Sequence, residues 1–207
     1  MPEMSCLFGV ASGEFLAVLR ADPDCDERLH RFWKCEGLTL PGDGLAVVRL
    51  GGNLKPPWAP EPRWQAEPPE RWQAESPASG PLRDALAQNS FLLEALPPPD
   101  VVARFAGIAR ETGRRLCWWW WEEHGDDLYA DAAWCFGPDH EFVAARETGL
   151  ANGADDGRVH VYEGGAPATI SPHAPLQLVM NALGFRSSLQ YFAPMDDWHF
   201  DWEPHRT

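Results

Sequence analysis

The spacing of apolar positions changes several times along the chain, and each change marks a predicted element. Residues 4–20 hold two short apolar runs, 6–10 and 15–19, split by Ser12-Gly13. They predict a β-hairpin, with a helix as the alternative for the second run. Asp22-Pro23-Asp24 offers N-cap chemistry for a short helix carrying Leu29, Phe32 and Trp33 at helical spacing. Pro41-Gly42-Asp43-Gly44 reads as a turn, and residues 45–50 as a strand.

From residue 81 to 113 the period is helical. Leu82, Leu86, Leu93 and Leu96 form one stripe that Pro97-Pro98-Pro99 stops. Asp100 is placed to cap a second helix with Val101, Val102, Phe105, Ile108 and Ala109 on its apolar side, and Gly113 ends it. From 115 to 170 the period falls to two. Strands are expected at 116–121, 128–136, 141–146, 159–163 and 168–170, separated by turns rich in Gly, Asp, Asn and Pro. Connections this short favour an antiparallel meander, because a parallel crossover needs a dozen or more residues. Pro175 opens a last helix that Gly184 closes, and the tail from Tyr191 alternates again. The pattern predicts one α+β domain over 1–207: an antiparallel sheet of about five to seven strands packed by about four helices.

Residues 51–81 stand apart. They are dense in Pro and Trp and contain a near-duplication, Arg63-Trp64-Gln65-Ala66-Glu67 and Arg71-Trp72-Gln73-Ala74-Glu75. Two copies are too few for a solenoid, so the segment reads as a surface loop inserted in the domain.

Composition narrows the class. With 207 residues, about 70% of the unfolded chain's surface can be buried, so folding requires neither disulfides nor a structural metal. The 31 acidic residues against 17 basic ones give a net charge of -14, which disfavours nucleic acid as the main partner. No export signal or apolar stretch of membrane-spanning length is visible, so a cytoplasmic protein without a membrane partner is expected. The five cysteines lack clustered spacing and read as reduced thiols. No Gly-x-Ser-x-Gly elbow, Gly-rich phosphate loop or Cys-x2-Cys pair occurs, so no catalytic residue, metal or cofactor is assigned.

Two aromatic segments remain. In Cys117-Trp118-Trp119-Trp120-Trp121-Glu122-Glu123 a strand would place alternate indoles on opposite faces. Either helices cover both faces, as those expected at 81–113 and 174–183 would allow, or one face presents indoles to a partner. In Asp196-Asp197-Trp198-His199-Phe200-Asp201-Trp202-Glu203 an extended chain would separate an aromatic face from an acidic one. The candidate partner-binding residues are therefore Glu122, Glu123, Asp126, Asp127, Asp196, Asp197, Trp198, Asp201, Trp202 and Glu203, facing a basic protein surface. A net charge of this size exceeds the ~2–8 that keeps a small domain soluble, which points to steering of a cationic partner.

The combination of small size, acidity, Trp richness and an α+β pattern resembles bacterial toxin-immunity proteins. That resemblance implies a non-enzymatic inhibitor that occludes the active site of a basic effector. A hydrolase using carboxylate or His chemistry and a structural adaptor subunit are the alternatives.

Overall fold

The computed structural model describes residues 3–22, 29–32, 38–39, 44–52, 80–89, 92–124, 128–147 and 157–187. Along the chain these form β1 (Glu3–Val10), α1 (Gly13–Ala21), β2 (Leu29–Phe32), β3 (Leu38–Thr39) and β4 (Leu45–Gly52). Then come α2 (Gly80–Gln88), the single turn α3 (Leu92–Ala95), α4 (Pro99–Thr112), β5 (Leu116–His124), β6 (Leu128–Phe136) and β7 (Phe142–Glu147). The described chain closes with β8 (Val159–Tyr162), β9 (Thr169–Ser171), α5 (Pro175–Ala182) and β10 (Arg186–Ser187).

Eight strands form one sheet in the order β2-β4-β1-β5-β6-β7-β8-β9, and β3 and β10 form a two-stranded ribbon. Every pairing is antiparallel. The architecture is α+β, and the five-strand meander from β5 to β9 follows the turns that the sequence marks.

The period of two along β5 builds two cores at once. Trp118 and Trp120 join Leu7, Val48, Trp134 and Tyr162 beneath α1, α2 and α4. Trp119 and Trp121 join Cys6, Phe8, Cys117, Cys135 and Val161 on the opposite face, with Val179 and Met180 of α5. The four indoles of 118–121 are between 1% and 5% exposed, so this central strand is covered on both sides. Trp118 donates from Nε1 to Ser5 Oγ at 2.8 Å, satisfying its polar atom inside the helix-covered core.

Three local expectations give way to tertiary context. The hairpin expected over 4–20 is a strand and a helix. Ser12 is the N-cap of α1 and accepts from the Phe15 amide at 3.4 Å, while Phe15, Leu16 and Leu19 are buried at helical spacing. Phe15 packs onto Gly9 of β1, where any Cβ would sit 2.3 Å from the ring. The helix expected to carry Leu29 and Phe32 is instead edge strand β2, in which Leu29 pairs with Val48 and Phe32 with Leu45. The single helix expected over 81–96 is interrupted after Gln88, where the Asn89 side-chain amide donates to the Tyr162 hydroxyl of β8.

One cap also differs. Pro98, not Asp100, is the N-cap of α4, and Asp100 lies in the first turn, where its charge suits the helix dipole. Gly113 closes this helix in the left-handed region at φ 60°. Of the Pro/Trp-rich insertion expected over 51–81, residues 53–79 lie outside those described.

Candidate partner-binding surface

The sequence places its first acidic candidates at the end of β5, and strand register shows what surrounds them. Glu122 pairs with Glu3 of β1 on one side and with Ala130 of β6 on the other, and Ala130 in turn pairs with Glu147 of β7. One cross-strand row therefore runs Glu3, Glu122, Ala130, Glu147 across four adjacent strands. Glu123 pairs with Tyr129 and His124 with Leu128, the last register pair of β5 and β6. Like charges on directly opposed residues destabilise a sheet. Register sets two acidic residues, Glu3 and Glu122, in directly opposed positions.

Asp126, Asp127, Asp196, Asp197, Trp198, Asp201, Trp202 and Glu203 lie outside the described residues. Of the ten candidates, only Glu122 and Glu123 have their place in the fold described. Glu3 and Glu147 were not among the candidates. They join Glu122 through register alone, a signal that the sequence carries only once the registers of three strand pairs are known.

A row further into the sheet the electrostatics change. Asp131 pairs with Trp121 and with Arg146, is fully buried, and accepts from Arg146 Nε at 2.9 Å. Burying a carboxylate is tolerable only with a charged or hydrogen-bonding partner. Arg146 supplies one while keeping about a quarter of its side chain in solvent (23%). Asp131 is consequently a structural carboxylate, closed to any partner. Asp22, at the end of α1, is similarly held by Arg104 of α4 at 3.0 Å. Arg115 reaches across to donate to the Ala182 carbonyl at 2.6 Å, capping the C-terminal end of α5.

The indoles of 118–121 are core residues, so the reading in which one face of this strand shows Trp to a partner is overturned. Trp134 likewise is buried and donates to Glu141 at 2.8 Å. Among the described residues, Trp119 stands out because its buried Nε1 has no hydrogen-bond acceptor. Its ring tilts against Phe8 at a centroid distance of 6.3 Å. Burial also pushes the Cys117 thiol well above its ordinary value, reinforced by the neighbouring Cys135 thiol. Cys117 is therefore a poor nucleophile at neutral pH. Tyr162 is raised by burial as well, with the Asn89 hydrogen bond opposing the shift.

Arginine nearly balances carboxylate among the described residues. Most of the net charge of -14 therefore comes from residues outside them. It concentrates at Asp24-Cys25-Asp26-Glu27, Asp126-Asp127, Asp155-Asp156 and the stretch from Asp196 to Glu203.

Compared with known protein families, curated proteins and solved structures, the chain matches none. Among the described residues, no helix is long and apolar enough to cross a membrane.

Proposed function

We propose that this chain is a non-enzymatic, acidic binding protein that neutralises a basic effector by covering its active site, in the manner of a toxin-immunity protein. The observation that carries the proposal is the placement of charge. The sequence gathers its acidic surplus in short runs such as Asp126-Asp127 and Asp196-Asp197, and strand register lines up Glu3, Glu122 and Glu147 across β1, β5 and β7. Scattered charge would serve solubility equally well. Solubility does not call for acidic residues at directly opposed register positions, which strand pairing in general disfavours. Steering a cationic surface offers a reason to keep them.

The carboxylates would take the positions of an anionic substrate on the effector, and the rigid two-core sheet would hold their row in place. The adaptor alternative calls for a large exposed apolar patch. Among the described residues Ile170 is the exposed large hydrophobic, which favours a charged interface instead.

The test is affinity capture from the source cells. Wild-type protein is compared with one variant reversed at Glu122, Glu123, Asp126 and Asp127 and another reversed at Asp196, Asp197 and Asp201. The proposal expects one basic protein enriched by the wild type, inhibited by it in stoichiometric amounts, and lost by at least one variant. Equal recovery of the same proteins by all three baits overturns it.

A further inference from the structure

Cys117 and Cys135 are register partners on the two central strands β5 and β6. Both are fully buried on the α5 face of the sheet, and neither is disulfide-bonded. Their sulfurs lie 3.2 Å apart. That is closer than the roughly 3.5–4.0 Å separating even non-bonded carbons, which are smaller atoms. Directly opposed residues of an antiparallel pair have Cα atoms about 4.5–5.5 Å apart, within the roughly 4.4–6.8 Å span that a disulfide bridges. The backbone is thus already at bridging distance. Closing to a bond of about 2.05 Å requires small rotations of two side chains and no change of register.

We propose that Cys117 and Cys135 form an oxidisable dithiol, closed to a cross-strand disulfide by hydrogen peroxide. Being fully buried, the pair admits a water-sized oxidant more readily than a bulky disulfide such as oxidised glutathione. In the first step one thiolate attacks a peroxide oxygen, the O–O bond breaks, and a sulfenic acid and a hydroxide result, the hydroxide becoming water on taking up the proton the thiol had released. In the second, the other thiolate attacks the sulfenyl sulfur, the S–S bond forms, and hydroxide leaves to become a second water on taking up a proton. Two thiols and one peroxide give one disulfide and two waters, with the two electrons passing from sulfur to the O–O bond. The high thiol pKa of Cys117 makes the reaction slow at neutral pH and faster in alkali.

Cys6 provides an internal contrast. It is equally buried on the same face, but its register partners are Trp119 and Arg49, neither of which is a cysteine. Closure would also bear on α5, because Cys117 Sγ lies 3.9 Å from the Val179 carbonyl. The proposal is independent of any partner protein.

The experiment exposes native full-length protein to hydrogen peroxide, removes the oxidant with catalase, and alkylates under denaturing conditions before trypsin digestion. No Lys or Arg lies between Arg115 and Arg146, so one peptide contains both cysteines and excludes Cys6, Cys25 and Cys35. The expected product is this peptide lighter by two hydrogens and unalkylated, restored to two alkylated thiols by prior reduction. In Cys135→Ser protein the peptide should gain oxygen or stay alkylatable, and never lose two hydrogens. Two alkylated thiols in the peroxide-treated wild type, or added oxygen in place of the bond, overturns the proposal.

Discussion

Replacing Gly9 with Ala tests how α1 is seated on the sheet. The new methyl carbon would lie 2.3 Å from Phe15 Cε1 and 2.5 Å from Cζ, where ordinary contact is about 3.5–4.0 Å. The ring must retreat by more than an ångström, yet Phe15 is fully buried and anchors α1 through the turn that Ser12 caps. Overpacking of this kind costs roughly 1–3 kcal/mol. Phe15→Leu removes the clashing ring edge, and as a large-to-small change at a buried site it costs about 1–3 kcal/mol by itself. The double variant should therefore be more stable than the sum of the single effects by about 1–2 kcal/mol. Urea unfolding followed by Trp fluorescence gives the three stabilities, with unchanged m-values showing that the denatured state is unaffected. Additivity within about 0.5 kcal/mol would refute the contact, and with it the placement of α1 over β1.

Asp131→Ala should destabilise the chain by roughly 2–3 kcal/mol, because it leaves Arg146 partly buried without its carboxylate; adding Arg146→Met should recover a large part of the loss, read in the same unfolding assay. Stability should also fall in alkali. Below about pH 9 folded and unfolded chains both keep the Cys117 proton, whereas above it the unfolded chain releases a proton that the folded chain retains. The slope should approach about 1.4 kcal/mol per pH unit, steepen above pH 10 as Tyr162 adds its share, and shrink in Cys117→Ser protein. A flat stability curve between pH 8.5 and 10.5 would contradict the burial assigned to this thiol.

The parts of the fold that rest on local signals were legible in the sequence. The meander from β5 to β9 follows from period-two runs and short turns, and α4 from its stripe and Gly113. The misreadings occur where distant residues decide. A four-residue run at Leu29–Phe32 fits a helix or a strand equally well until β4 offers it an edge. α2 ends beside Asn89, whose side chain bonds Tyr162, a partner far away in the chain that no local pattern reveals. Residues 15–19 fit either structure in isolation. Ser12 as a cap and Gly9 as the floor beneath Phe15 select the helix.

The site was less legible than the fold. The tryptophans drew attention to β5, but the four indoles of 118–121 fill two cores at once and not a surface. The acidic pair Glu122-Glu123 could be read directly. Its neighbours Glu3 and Glu147 could not, because they meet it only through the register of three strand pairs. Arg146 illustrates the same limit, since its partner Asp131 lies across a hairpin whose register no local motif fixes.

The most direct measurement is the association rate of the captured basic protein as a function of ionic strength. Electrostatic steering predicts an on-rate that falls at least tenfold between about 50 and 500 mM salt while the dissociation rate changes little, with reversal at Asp126 and Asp127 lowering both the rate and its salt slope. An on-rate indifferent to salt and to charge reversal would show that the surplus carboxylates play no part in recognition.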